Sequence, residues 1–216
     1  MKSGRKLAKI AEPLTWHRAW RRAQRRIRPM SLARARAGID QRKLREIQER
    51  YARSTAGYSK YADVDRWLRL SRECVQDLQL HRAPPQRVLD LGCGGGFFLL
   101  LLQSLGHDAL GLDTDRVPLY GELTQLFGVQ RIIWRIKPRE PLPTFDQQFD
   151  WITAFSVAFN VDAGDRPWDV PEWDFFLRDL QRHLALNGGA AWLAPRRRSD
   201  RRFSRESPKL MGADHS

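Results

Sequence analysis

The stretch Val88-Leu89-Asp90-Leu91-Gly92-Cys93-Gly94-Gly95-Gly96 decides how this chain folds. Arg87–Leu91 is a short apolar run that follows Pro84-Pro85 and stops at glycine, the pattern of a buried strand. Directly after the glycines, residues 96–105 read as a helix with Gly106 as its C-terminal stop. Glycines between a strand and a helix let the backbone turn sharply and approach a ligand closely. The helix N-terminus adds unpaired N–H groups and a partial positive charge, which suit an anionic group. Asp113 lies twenty-three residues beyond Asp90, at the end of the next predicted strand, Ala109–Leu112. A carboxylate there accepts hydrogen bonds from both hydroxyls of a ribose. The segment therefore points to a nucleoside-containing cofactor that carries an anionic group.

Outward from this segment, strands and helices alternate. Pro118–Phe127 reads as a helix ended by Gly128, Arg131–Ile136 as a third strand and Asp150–Phe155 as a fourth. Glu172–Ala185 reads as a helix, Asn187–Gly189 as a turn and Ala190–Ala194 as a fifth strand. Strands separated by helices imply right-handed crossovers and a doubly wound, mainly parallel α/β sheet with helices on both faces. Upstream, Asp40 is placed to cap a helix through about Ala52, whose stripe is Leu44, Ile47 and Tyr51. A second N-terminal helix is expected from Ala62 to about Leu80.

The spacing of the glycines selects among cofactors. A dinucleotide fingerprint places Gly at its first, third and sixth positions. Counted from Gly92, the sixth position is Phe97, which opposes a pyrophosphate site. No Gly-Lys-Ser/Thr follows, so the phosphate-loop pattern fails as well. The spacing Asp-x-Gly-x-Gly-x-Gly, from Asp90 to Gly96, closely resembles motif I of class I S-adenosylmethionine-dependent methyltransferases. Three further stretches resemble that family in the same order. They are Gly111-Leu112-Asp113, Phe149-Asp150-Trp151-Ile152 and His183-Leu184-Ala185-Leu186-Asn187-Gly188-Gly189. The likeness spans roughly residues 58–195 and implies a Rossmann-like fold with S-adenosyl-L-methionine as cofactor.

The resemblance also implies roles. Gly92, Cys93 and Gly94 would hold the methionyl part through the backbone, and Asp90 would orient that loop or meet the amino group. Asp113 would bind the ribose hydroxyls, with Leu112 or Thr114 beside the sugar or adenine. Ile136, at the end of strand 3, is the expected adenine wall. Phe155 and Ser156 would border the methionyl group and the acceptor. Tyr58 and Tyr61 stand where related enzymes often place a lid, and ordinary aromatic packing is the competing reading.

Methyl transfer from a sulfonium is an in-line displacement, so the protein mainly supplies alignment and a dry site. No catalytic residue stands out. His81, His107 and His183 are expected at the amino end of the sheet, whereas ligands bind at the carboxyl end; His17 and His215 lie in the tails. Asn160, Asp162 and Asp165 fall on the correct side as candidate acceptor contacts. Trp168, Trp173, Phe175 and Phe176 are candidates for an acceptor pocket, although Phe176 and Leu177 fit better as core. After strand 4 the chain reads Thr153-Ala154-Phe155-Ser156-Val157, without the Asn/Asp-Pro-Pro-aromatic motif of amino-methylating nucleic-acid enzymes.

Composition bounds the rest. The chain has 216 residues, 42% of them hydrophobic, which suits one core with appendages. The longest apolar run is far shorter than a membrane span needs. Cys74 and Cys93 offer no metal-ligand spacing and fit a reducing, cytoplasmic setting. The net charge of +13 is unevenly spread, at +12 over residues 1–50, −3 over 51–194 and +4 over 195–216. The expected organisation is a basic extension (1–38), the methyltransferase domain with its N-terminal helices (39–195) and a basic, disordered tail (196–216). Trp16, Trp20, Ala23 and Ile27, interleaved with arginines, fit a basic amphipathic helix for nucleic acid or an anionic membrane surface, or a solvated tail. The family fold usually continues past strand 5, so a shortened sheet is expected. Ala190–Ala194 would then form an exposed edge open to oligomer formation. The leading expectation is a methyltransferase for a small-molecule or glycan-precursor acceptor. The alternatives are an RNA methyltransferase guided by the basic ends and an inactive methyltransferase-like binding protein.

Overall fold

The computed structural model describes residues 29–53, 58–155, 157, 166–186 and 190–194. Helix α1 (Ala33–Ala37) leads into α2 (Gln41–Ala52), where the Asp40 carboxylate accepts from the N–H groups of Arg42 and Lys43. A 3-10 turn (Tyr58–Tyr61) precedes α3 (Val64–Asp77), which Asp63 caps by accepting from Arg66 N–H. Then follow β1 (Arg87–Leu91), α4 (Phe97–Ser104), β2 (Asp108–Asp113) and α5 (Pro118–Phe127). The remaining elements are β3 (Gln130–Ile133), β4 (Trp151–Phe155), α6 (Val170–His183) and β5 (Ala190–Ala194).

All strand pairs are parallel, in the order β3-β2-β1-β4-β5. The chain runs from β1 outward to β3, then crosses back to β4 on the other side of β1. This reversal opens a crevice at the carboxyl ends of β1 and β4, where α/β sheets bind ligands. Side chains alternate across the sheet with the strand period of two. Val88 and Ala109 join the core formed with α2 to α5, while Leu89, Leu91, Leu112 and Ile152 join Phe176 and Leu180 of α6 on the opposite face. The doubly wound Rossmann-like reading therefore holds, and β5 is the edge of the described sheet.

The structure departs from the sequence reading at several points. Strand β3 stops at Ile133, because its partner β2 ends at the Asp113–Ile133 pair. Trp134 N–H makes one last bond to the Asp113 carbonyl, and the chain then turns away. Ile136 is thus not the end of strand 3; it is buried with Leu89, Leu91, Leu112 and Leu142. Helix α6 begins two residues before Glu172, because Asp169 and Glu172 form a reciprocal capping box around Pro171. Leu177, expected in the core, is 45% exposed, since Phe176 and Leu180 occupy the sheet-facing side of α6.

His81, His107 and His183 lie away from the carboxyl ends of the strands, at the opposite end of the sheet. Gln86 N–H donates to Nδ1 of His107, so its Nε2 carries the proton and donates to the Leu80 carbonyl at 2.9 Å. This buried ring ties the entry of β1 to the turn after α3. His81 precedes β1, and His183 ends α6 beside Phe145.

Candidate functional site

The glycine run turns at the carboxyl end of β1 through positive φ at Gly92 (74°), Gly94 (55°) and Gly96 (78°). Gly92 and Cys93 N–H groups donate to the Leu112 carbonyl, which docks the loop on β2. Gly94 N–H donates to Oδ2 of Asp113 at 2.6 Å, and Thr114 N–H donates to Oδ1 at 2.6 Å. The two acidic landmarks of the sequence thus belong to one site, with the β1 loop hydrogen-bonded to the β2 carboxylate. Helix α4 opens just beyond, and its first-turn N–H groups lack intrahelical acceptors.

Asp90 is 3% exposed and accepts from the Thr153 hydroxyl at 2.7 Å. Burial pushes its pKa to about 7, the Thr153 bond opposes the rise and the nearby Asp113 charge adds to it. The unfolded value is near 4. Between those values the native state binds more protons than the unfolded chain, so stability falls as pH rises through this window. Ligand-free protein is expected to melt at a lower temperature at pH 8 than at pH 5. Asp90→Asn, which cannot titrate, should flatten that slope. Equal slopes in wild type and variant would contradict this role for Asp90.

The crevice suits a cationic rather than a polyphosphate cofactor. Asp113, at the end of β2 beside the loop, suits a ribose diol. Phe97, in place of the fingerprint's third glycine, packs its ring where a Cβ on Gly95 would sit, 2.9 Å away. The same ring stacks with Trp67 and meets Phe127 edge-on. A ligand combining a sulfonium, an ammonium and a ribose diol fits these groups, with its carboxylate at the first-turn N–H groups of α4.

The other expected residues are placed less uniformly. Cys93 contributes only backbone, since its Cβ and Sγ press against Gly111 in the core. Burial, together with the charges of Asp90 and Asp113, pushes its thiol pKa up. Thr114 lines a cavity of about 350 Å³ at the exit of β3 with Ile133, Trp134 and Arg135, whereas Ile136 is buried in the core. Phe155 ends β4 and packs edge-on against Phe98 at 4.9 Å, while Val157 lies directly over Gly92. Trp168, Trp173 and Phe176 form an edge-to-face trio, and Phe175 instead lines a separate cavity of about 530 Å³ on the flank of α6, with Arg139 and Arg178. These four aromatic residues do not converge on one pocket. Ser156, Asn160, Asp162, Asp165, the 187–189 turn and the basic segments 1–28 and 195–216 lie outside the described residues.

Two features of the site were not singled out from the sequence. Arg131, its side chain 8% exposed, donates to Asp115 at 2.8 Å and pins the loop that follows Asp113. Tyr120 of α5 lies beside Gly94 and meets Tyr61 edge-on at 5.3 Å. The signal for Tyr120 was its spacing with Leu123 and Thr124 on one face of the predicted helix.

Residues 89–191 match the family model described as a methyltransferase domain. No curated protein matches the chain. Among solved structures, CalS10 is similar: this S-adenosylmethionine-bound amino pentose methyltransferase comes from Micromonospora echinaspora and acts in calicheamicin biosynthesis. It is 24% identical with a TM-score of 0.44, and the match covers 60% of this chain and 50% of that one. DesVI from Streptomyces venezuelae is 14% identical with a TM-score of 0.45 over the same shares. The sugar N-methyltransferase KedS8 from a Streptoalloteichus species is 20% identical with a TM-score of 0.37, covering 62% of this chain and 47% of that one. The matched part spans about half the length of these proteins.

Proposed function

We propose that this chain, of which residues 89–191 match the methyltransferase domain model, binds S-adenosylmethionine and transfers its methyl group to a small-molecule or glycan-precursor acceptor. The observation that carries the cofactor part is the hydrogen bond from Gly94 N–H to Asp113, which joins the glycine loop to the carboxylate suited to a ribose diol. The cofactor, when bound, supplies a sulfonium-activated methyl group. The chain's own residues hold and align it. Asp113 has lone pairs left for two hydroxyls after accepting from Gly94 and Thr114. The first-turn N–H groups of α4, which lack intrahelical acceptors, would meet the carboxylate of the methionyl part. Asp90, buried beneath the loop and held by the Thr153 hydroxyl, supports the turn from below, and Val157 closes over Gly92 to exclude water.

The support for the acceptor class is the net charge of −3 over residues 51–194 and the sequence Thr153-Ala154-Phe155-Ser156-Val157 after β4, where amino-methylating nucleic-acid enzymes carry their motif. The direct test is calorimetric titration with S-adenosylmethionine and, separately, with a nicotinamide dinucleotide. Binding of the first alone is expected. Folded protein that does not bind S-adenosylmethionine would end the cofactor reading.

A further inference from the structure

Three of the loop glycines, Gly94, Gly95 and Gly96, each have a side chain of α5 among their nearest neighbours. Tyr120 places Cε2 and Cζ 3.7 Å from where a Cβ on Gly94 would sit. Leu123 stands 3.0 Å from the corresponding point on Gly95, and Thr124 stands 3.0 Å from that on Gly96. Positions i, i+3 and i+4 share one helix face, so α5 lies along the loop as a brace. Close packing thus accounts for Gly95 and Gly96 without any ligand.

Gly94 differs, because ordinary van der Waals contact leaves room there and because its N–H engages Asp113. Among the described residues, its side-chain neighbour at that point is Tyr120. Tyr120 is held from behind in turn. Tyr61 meets its ring edge-on, with the two ring planes at 82°. Tyr61 stacks on Trp67 at 5.5 Å, and Trp67 donates its indole N–H to the Lys60 carbonyl. The N-terminal 3-10 turn, α5 and the cofactor loop therefore meet at one ring.

We infer that Tyr120 is a positioning residue: its ring, clamped by Tyr61, holds the Gly94 turn so that the Gly94 N–H stays on Asp113. This rests on the cofactor reading above only for its consequence, which is that the loop is ready for the cofactor before it binds. A glycine at positive φ has no side chain of its own to limit its motion. A neighbouring ring fixed by a second ring supplies that limit, as packed neighbours do for well-ordered sites.

The test uses the full chain without cofactor and reads amide hydrogen exchange residue by residue. In Tyr120→Leu, the Gly94 amide should exchange roughly 3- to 10-fold faster, the scale of one lost aromatic pair, while Leu89, Asp90 and Leu112 in the strands stay unchanged. Affinity for S-adenosylmethionine should weaken by a similar factor. Tyr120→Phe keeps the ring on Gly94 and loses only the hydroxyl, so its Gly94 exchange should stay within about twofold of wild type. Unchanged Gly94 exchange in Tyr120→Leu would overturn the inference, as would an equal rise at the strand amides. If Tyr120→Leu fails to fold, Tyr120→Phe decides: Gly94 exchange beyond twofold would overturn the role of the ring. A wild type that shows this exchange pattern yet binds no S-adenosylmethionine would strike the cofactor reading and leave the positioning role standing.

Discussion

Asp113→Ala is expected to lose about a hundredfold or more in affinity for S-adenosylmethionine. The carboxylate has two tasks. Its oxygens accept from Gly94 and Thr114 N–H groups, each at 2.6 Å, and so tie the β1 loop to the end of β2. In the proposed complex it also accepts from the ribose hydroxyls. Hydrogen bonds to a charged group contribute about 1.5–3 kcal/mol each. Losing two to the ligand gives roughly 3 kcal/mol or more, and every 1.4 kcal/mol is tenfold. The freed Gly94 amide adds to this, because the loop must be ordered again on binding. Asp113→Asn separates the tasks, since an amide keeps one acceptor oxygen but turns a second donor toward a backbone N–H. Its affinity should fall between wild type and alanine. Calorimetric titration of the three proteins checks the series. An alanine variant within threefold of wild type would mean that this carboxylate does not hold the nucleoside.

The parts of the fold that were legible in the sequence are those set by local chemistry. Asp40 announces α2 because a carboxylate at that position takes the free N–H groups of the first turn. Pro118 and Gly128 bracket α5 for equally local reasons. The end of β3 was not legible, because it depends on where another strand stops. Ile136 accordingly moved from the nucleoside wall to the core. Cys93 illustrates the same limit at the site. The glycine spacing marks its backbone as part of the loop, but only the position of Gly111 on the neighbouring strand shows that its side chain turns inward. Tyr120 was visible as one residue of a helix. Its partner Gly94 lies across a crossover connection, which periodicity does not reveal. Asp90 and Asp113 were read correctly as a pair at the strand ends, but the hydrogen bond between the loop and Asp113 follows from φ at Gly94, a property that spacing alone does not carry.

Gly111→Ala is expected to cause the largest loss of stability among single methyl additions at these glycines that need no change of φ. The added Cβ would stand 2.5 Å from Sγ of Cys93, 2.6 Å from a methyl of Leu99 and 2.9 Å from Cβ of Cys93. The backbone cannot retreat, because Gly111 pairs with Asp90 on one side and Arg131 on the other, in the middle of the sheet. Overpacking of this kind costs about 1–3 kcal/mol, and three contacts under 3 Å place this site near the top of that range. In a chain of this size, about 3 kcal/mol corresponds to a fall in melting temperature of roughly 6–12 °C. Gly128→Ala is the contrast, since nothing lies within 4 Å of its Cβ position and only the left-handed φ of 63° opposes it. That costs on the order of 1–2 kcal/mol. The stronger check is a double-mutant cycle. Cys93→Gly removes two of the three clashing atoms, so Gly111→Ala should cost at least about 1 kcal/mol less in that background. Additive effects would show that Cys93 is not the obstacle. The strain also reaches the site, because Cys93 stands between Gly92 and Gly94. A Cβ at Gly111 pushes outward on the segment that carries the loop's hydrogen bond to Asp113, so Gly111→Ala should weaken cofactor affinity as well, and Cys93→Gly should restore part of it.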